Sequence, residues 1–126
     1  MSEVSDLPPQ VQERLLRLQQ LQRSLQTVLT QKQQVELETS ETEQALTELG
    51  TLTEEAVIYK SIGSLLVKSK KDKVEADLRE RKELLDTRVQ VLSKQEERLR
   101  TQLNQLQAKL RRDLSPGSSG ATATNL

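Results

Sequence analysis

Side chains that could perform acid–base or nucleophilic chemistry are few in this sequence, and they are not spaced like a catalytic site. The 126 residues include no histidine and no cysteine, which removes the commonest general acids and bases, the thiol nucleophile and the usual zinc ligands. Acidic residues are frequent between Glu36 and Glu55, but no predicted cleft would activate one of them, so a solvated helix face explains them better. We therefore expect no enzymatic activity, no metal site and no cofactor.

A short basic run from Lys68 to Lys73 is the other group of charged side chains. It could contact an acidic partner or a phosphate, but it is too short for a nucleic-acid-binding arm. The whole chain has 19 basic and 19 acidic residues, without the basic excess of most nucleic-acid binders. Gly63 has no glycine-rich surroundings and is not a phosphate loop. We expect a solvated segment and no nucleic-acid partner.

The composition predicts a thin core between paired helices. Apolar residues make up 33% of the chain and Tyr59 is its single aromatic residue, whereas compact globular cores depend heavily on aromatic side chains. The N-terminus lacks the basic and apolar regions of a signal peptide, and no apolar run approaches the roughly 20 residues that span a bilayer. Together with the lack of cysteine, this predicts a soluble cytoplasmic protein with no membrane partner.

Leucine recurs at every seventh position in the last third of the chain, which predicts a coiled-coil helix. These leucines are Leu78, Leu85, Leu92, Leu99 and Leu106. A preceding span, residues 8–49, carries the same heptad pattern, and its apolar seam positions are Val11, Leu18, Leu21, Leu25, Val28, Val35, Leu46 and Leu49. Pro8 and Pro9 stand at the start of the first span, where proline is tolerated, and no other proline or glycine lies within either span. Each span should therefore form one unbroken helix.

Residues 56–68 predict a β-hairpin between the two helices. Two apolar triplets, 57–59 and 65–67, flank a segment in which Gly63 can adopt a positive φ. The alternative is that both triplets continue the helices, although the heptad frame breaks here. The second helix should then run over residues 69–114, with Ser69 and Asp72 spaced as a capping box. Residues 1–7 form a short lead and residues 115–126 a disordered tail.

The connection favours an antiparallel pair of helices within one chain, in a register that places Leu21 opposite Leu99 and Val35 opposite Leu85. A parallel homodimer through the second helix is the rival, but it would leave the first seam uncovered. The fold class is therefore mainly α, a long antiparallel coiled-coil hairpin with one β-hairpin at the bend.

Two apolar surfaces remain after this pairing. The hairpin strands are apolar on both faces, which predicts oligomer formation; the interface residues are Val57, Ile58, Tyr59, Ile62, Leu65, Leu66 and Val67. Leucines and a valine also collect where the two chain ends meet, and we expect them to bind apolar segments of other proteins. These tip residues are Leu7, Val11, Leu15, Leu16, Leu106, Leu110 and Leu114. The alternative is that they only complete the coiled coil or are scattered surface residues.

Several segments resemble a known family. They are Leu7-Pro8-Pro9-Gln10-Val11-Gln12, Gln31-Lys32-Gln33, Lys94-Gln95-Glu96 and above all Ala56-Val57-Ile58-Tyr59-Lys60-Ser61-Ile62-Gly63-Ser64-Leu65-Leu66-Val67-Lys68. On these residues the chain resembles the β-type subunit of prefoldin, particularly the archaeal form. There is room for one hairpin, whereas α-type subunits have two.

The resemblance implies a hexamer of two α-type and four β-type subunits, whose hairpins form a β-barrel platform from which the coiled coils extend. It implies an ATP-independent chaperone that captures unfolded client proteins at the coiled-coil tips, here about residues 7–18 and 103–116, and delivers them to a group II chaperonin. A structural coiled-coil adaptor that tethers specific folded partners is the alternative function.

Overall fold

The computed structural model describes residues 6–115. Its elements follow the order α1 (Pro9–Gly50), β1 (Ile58–Ile62), β2 (Leu65–Ser69) and α2 (Lys71–Leu114). The predicted class is confirmed, with two long helices and one two-stranded antiparallel hairpin. Neither helix within the described part is long and apolar enough to cross a membrane. The predicted tail after residue 115 lies outside the described residues, as do residues 1–5.

Helix α1 begins at a proline and ends at a glycine. Proline suits the first helical position because its missing N–H would have no helical partner there. The carbonyl of Pro8 accepts hydrogen bonds from the backbone N–H groups of Val11 and Gln12, at 3.0 and 3.1 Å. After Gly50 the chain tightens into a turn in which the Thr51 N–H donates to the Glu48 carbonyl at 3.1 Å.

The hairpin closes through the two residues Gly63 and Ser64. Ile62 pairs with Leu65 across this turn, and the register continues to Ile58 opposite Ser69. Gly63 has a φ of 58°, as expected for a type II′ turn, which takes glycine at its first central position. The sequence prediction of a hairpin turn at Gly63 is therefore confirmed.

Helix α2 begins two residues later than the capping-box spacing predicted. Ser69 pairs with Ile58 as the last residue of β2, so its side chain does not cap a helix. The carbonyl of Lys70 accepts the first helical hydrogen bond, from the N–H of Val74 at 3.1 Å. Lys70 alone separates the strand from the helix.

The chain divides into two compact units. The end unit comprises the described parts of Met1–Thr30 and Ser93–Leu126, and the hairpin unit comprises Gln31–Leu92. Every predicted apolar seam position is buried or half-buried. The buried apolar side chains of the end unit are Val11, Leu21, Leu25, Val28 and Leu110, and those of the hairpin unit are Val35, Leu49, Leu85 and Leu92.

Thr42 interrupts the apolar seam of the hairpin unit and is nevertheless buried. Its hydroxyl donates to the Glu38 carbonyl one turn earlier, at 2.8 Å. Because the hydroxyl has a hydrogen-bond partner, its burial does not carry the full desolvation cost of an unpaired polar group.

Within each unit the two helical segments run antiparallel, in a register about one heptad away from the predicted one. In the end unit, Arg14 donates to the carboxylate of Asp113, and Leu21 lines a groove with Leu106 where Leu99 was expected. In the hairpin unit, Thr39 lines a groove with Val89. A shift of one heptad keeps the same side chains on the seam, so the sequence pattern does not distinguish the two registers.

Candidate protein-binding surfaces

A groove of about 540 Å³ lies on the surface of the end unit. Its lining residues are Leu15, Leu18, Gln107, Leu110, Arg111, Leu114 and Ser115. Leu18 and Leu110 belong to the helical seam, and Leu110 is almost fully buried. Leu15 and Leu114 lie off the seam and form apolar walls, while Gln107 and Arg111 supply the polar rim. We name this feature the tip groove.

The off-seam leucines of α1 divide between the groove and solvent. Neither Leu15 nor Leu16 occupies a position of the heptad seam, and Leu16 is 63% exposed. Leu15 is half-buried and lines the tip groove. Leu114 also lines the groove and remains 49% exposed. Among the described residues of the end unit, Leu16 and Leu114 are therefore the exposed large apolar side chains, and Leu15 joins Leu114 in lining the groove.

The other predicted tip residues are less accessible. Val11 and Leu110 are buried in the core of the end unit. Leu7 and Leu106 are half-buried, and the Leu7 carbonyl accepts a 2.6 Å hydrogen bond from the side-chain amide of Gln12. The structure therefore brings the predicted tip residues into one unit but gives them different roles, some in its core and some on its surface.

An ion pair between Arg14 and Asp113 joins the two helices beside the tip groove. Both side chains are about three-quarters buried, with relative exposures of 27% and 26%. Each immediately precedes a wall residue of the groove, Leu15 or Leu114. The pair therefore links the two helices next to the groove walls, and it gives the partly buried charge of Arg14 a partner.

A second, smaller groove of about 240 Å³ also lies in the end unit. Its lining residues are Arg17, Leu21, Gln102, Gln105, Leu106 and Lys109. We name it the side groove. The sequence interpretation missed the cations of both grooves, Arg17, Lys109 and Arg111. Arg17 precedes the seam residue Leu18, and Lys109 and Arg111 flank the seam residue Leu110. This adjacency to the seam was the sequence signal that could have identified them.

The hairpin exposes apolar side chains on both of its faces, as its sequence predicted. From the strand register, Tyr59 and Leu66 share one face, and Ile62, Leu65 and Val67 share the other. Leu66 is 72% exposed, and the other four are also exposed. Val57, which precedes β1, is exposed as well, while Ile58 is half-buried.

The hairpin edges carry backbone groups that can pair with further strands. Within the described residues, β1 and β2 form a sheet of only two strands, so each strand has a neighbour on one side. An isolated hairpin of this size is marginally stable in water. Unpaired edges together with two apolar faces are typical of a strand that pairs with another chain.

Charged side chains hold the base of the hairpin against its flanking segments. The Lys60 ammonium lies 3.1 Å from the carboxylate of Asp77. The Lys71 ammonium donates to the Leu52 carbonyl at 2.7 Å and lies 3.8 Å from a carboxylate oxygen of Glu54. Lys71, part of the basic run predicted to be solvated, is therefore a structural contact, with only 12% of its side chain exposed.

The carboxylate of Glu54 is near other acidic groups. A hydrogen bond with Asp72 raises the pKa of Glu54 above its ordinary value of 4.5, and the charge of Asp72 adds to the shift. Partial desolvation and the charge of Glu75 act in the same direction, while Lys71 opposes them. No group of three or more potential ligands in residues 6–115 is arranged to hold a metal ion.

Comparison with known proteins identifies the family. A sequence profile described as prefoldin subunit matches residues 12–115, which include nearly all of α1, the hairpin and the whole of α2. This chain belongs to the prefoldin family. The predicted resemblance to prefoldin is confirmed by this match.

Archaeal prefoldin β subunits are similar over nearly their full length. The prefoldin subunit beta of Archaeoglobus fulgidus is 47% identical, over 90% of this chain and 97% of that protein. The prefoldin subunit beta of Thermococcus kodakarensis is 42% identical, over 93% of this chain and 100% of that protein. The likeness to the β type, first indicated by the single hairpin, is therefore confirmed.

A solved prefoldin structure has the same fold. The crystal structure of the prefoldin beta subunit from Thermococcus strain KS-1 superposes with a TM-score of 0.80 at 44% identity, and the match covers 87% of this chain and 96% of that one. Prefoldin is a chaperone family, so the expected role as a prefoldin chaperone subunit is confirmed at that level.

Proposed function

We propose that this chain is a β-type subunit of a prefoldin hexamer that acts in the cytoplasm as an ATP-independent holdase. Four such chains join two α-type subunits through their hairpins. The end units capture unfolded client proteins and pass them to a group II chaperonin. The chain performs no enzymatic reaction. The observation that carries this proposal is the exposure of apolar side chains in two places, on the hairpin and at the end unit.

The hairpin supports the assembly step. Burying a large apolar side chain contributes about 1.5–3 kcal/mol, and the exposed side chains of the hairpin would gain this only by contacting other chains. The proposed interface comprises Val57, Ile58, Tyr59, Ile62, Leu65, Leu66 and Val67. Its apolar faces and free edges suit a closed barrel of strands, because closure removes every unpaired edge.

The end unit supports the capture step. Leu16 and Leu114 are exposed, and Leu114 also lines the tip groove, so the end unit offers accessible apolar side chains. One such surface would hold an unfolded segment weakly. Several copies in one complex would act together, because linked weak sites raise the effective concentration of each further contact.

An aggregation assay tests the capture step. The complex, assembled with a candidate α-type subunit, should suppress aggregation of several unrelated denatured proteins without ATP. The double variant Leu16→Ser/Leu114→Ser should suppress it several-fold less and keep its native mass. Leu84→Ser is the matched control, because Leu84 is 67% exposed in the hairpin unit but lies on neither proposed surface.

The outcome that would overturn the holdase proposal is stoichiometric binding of one folded partner with no effect on aggregation. That result would identify the structural adaptor. Delivery can be followed with a labelled client, which should move from the prefoldin band to the chaperonin band on a native gel. A client that stays with the prefoldin complex in the presence of excess group II chaperonin would contradict the delivery step.

A further inference from the structure

The two end-unit grooves carry cations without acids, whereas both hairpin-unit grooves carry acids, in one of them together with cations. In the end unit, Arg111 lines the tip groove, and Arg17 and Lys109 line the side groove. No acidic residue lines either of them. A groove of the hairpin unit is lined instead by Glu36, Glu43 and Asp86. The apolar grooves at the chain ends therefore have cationic rims.

These cations are available for a ligand. Within residues 6–115, Arg17, Lys109 and Arg111 form no ion pair, and all three are exposed. The nearest carboxylate in sequence to Arg111, that of Asp113, is paired with Arg14. The positive charge of the groove rims is thus not neutralised by neighbouring acids.

We propose that the tip and side grooves select unfolded segments in which apolar residues are flanked by acidic residues. This inference rests on the proposed capture of unfolded clients and names the class of segment captured. Apolar side chains would enter the tip groove, whose volume of about 540 Å³ lies within the range of ligand pockets. Flanking aspartate and glutamate side chains would pair with the rim cations.

The magnitude expected for each contact is modest. An exposed ion pair changes affinity by about 1.4- to fivefold, and the effect weakens as salt screens the charges. These gains in affinity multiply when one segment contacts more than one cation. They also multiply when it contacts more than one end unit of the complex. The preference should therefore be largest at low salt and in the assembled complex.

Three fluorescent peptides of identical length and leucine content provide the probes, with the leucines flanked by glutamate, glutamine or lysine. Binding to the assembled complex is measured by anisotropy at low and high salt. We expect the glutamate peptide to bind several-fold more tightly than the lysine peptide at low salt, with the glutamine peptide between them. High salt should bring the three affinities together.

Arg111→Glu tests the groove rim directly, and Arg112→Glu is its matched control. Both arginines are exposed in the last turn of α2, where a cation favours the helix end. Arg111 lines the tip groove, whereas Arg112 lines neither the tip groove nor the side groove. Arg111→Glu should lose or reverse the preference for the glutamate peptide. Arg112→Glu changes the net charge equally and should retain the preference.

Two outcomes would overturn the inference in distinguishable ways. If the wild-type complex binds all three peptides equally, and Leu114→Ser weakens all three, the grooves capture apolar segments without charge selection and the proposed function stands. If no peptide binds and denatured proteins still aggregate, the proposed function fails together with the inference. If Arg111→Glu and Arg112→Glu lose the preference for the glutamate peptide equally, that preference comes from the overall charge of the helix end. The proposal that the groove rim selects acidic segments would then be wrong.

Discussion

The hairpin unit and the end unit both expose apolar side chains, but they present them in different forms. The hairpin displays side chains on two faces of a sheet whose edges carry free backbone groups. The end unit displays leucines beside an open groove. Backbone pairing fixes register and partner, whereas an open groove accepts segments of many shapes. This difference is the basis for proposing permanent assembly at the hairpin and reversible capture at the end unit.

Leu66→Asp should have the largest effect, because it places a charge at the most exposed apolar position of the hairpin. A charge buried in an apolar interface without a partner costs several kcal/mol, and the cost recurs in every copy. We expect the hexamer to dissociate while the helices remain folded. Native mass spectrometry with the candidate α-type subunit measures the loss, and circular dichroism checks the helices.

The matched control for this change is Leu84→Asp, which alters an equally exposed leucine on α2. It should leave the hexamer intact. A Leu66→Asp complex with the mass of the wild type would show that the hairpin is not the interface between subunits. The assignment of assembly to the hairpin unit and of capture to the end unit would then be wrong.

Core truncations should have the next largest effect and should be similar in the two units. Leu21 of the end unit and Leu92 of the hairpin unit are 4% and 5% exposed. Changing either to alanine leaves a cavity and should cost about 2–5 kcal/mol of unfolding free energy. Thermal denaturation at one fixed protein concentration measures this, since assembly makes the Tm concentration-dependent.

The exposed Leu37 provides the control for these truncations, since Leu37→Ala should change the unfolding free energy by no more than about 0.5 kcal/mol. If Leu21→Ala is as mild as Leu37→Ala, the end unit has no packed core. In that case its groove is not held in one shape.

Asp113→Asn separates groove geometry from stability. Removing the charge weakens a partly exposed ion pair with Arg14, which should cost only about 0.2–1 kcal/mol. Since that pair holds the residues beside Leu15 and Leu114, client affinity should fall by more than the small change in Tm suggests. Aggregation assays and thermal denaturation of the same sample provide both values. If client affinity and Tm both change only slightly, the ion pair between Arg14 and Asp113 contributes to stability and does not shape the groove.

Glu54→Gln should have the smallest effect, and it is confined to the hairpin unit. Asp72 raises the pKa of Glu54 above 4.5, so the folded state binds this proton more tightly than the unfolded state. The associated stability is present below pH 4.5 and is lost as the pH rises through the folded pKa. The variant should therefore gain in Tm relative to wild type as the pH rises from below 4.5 to neutrality.

Glu55→Gln is the neighbouring control, because it removes one adjacent exposed carboxylate and can be followed over the same pH range. A Glu54→Gln variant that instead loses Tm relative to wild type as the pH rises would mean that the contact with Lys71 outweighs the repulsion from Asp72. The sign of the pH dependence thus decides which neighbour dominates at the base of the hairpin.

Periodicity was sufficient to predict the helices and the hairpin. The heptad positions identify the buried side chains, because a coiled-coil seam repeats the same face at every turn. Gly63 identifies the turn, because a two-residue hairpin requires a positive φ that glycine adopts without strain. These features depend on residues near each other in sequence, and so local patterns determine them.

Register and helix start were not predictable from the same patterns. Two registers that differ by one heptad bury the same seam residues, and the contact between Arg14 and Asp113 that distinguishes them joins opposite ends of the chain. Ser69 has the spacing of a cap, but pairing with Ile58 places it in a strand. The cationic groove rims were missed because Arg17, Lys109 and Arg111 resemble ordinary surface residues until both helices are in place.

The two connections of the hairpin differ in length. Strand β2 passes into α2 through Lys70 alone, whereas seven residues lie between Gly50 and Ile58 on the other side. With one residue between them, the direction of β2 sets the direction in which α2 starts. The longer connection reaches the same place only with added contacts, since its Leu52 carbonyl and Glu54 carboxylate both lie near the Lys71 ammonium at the start of α2.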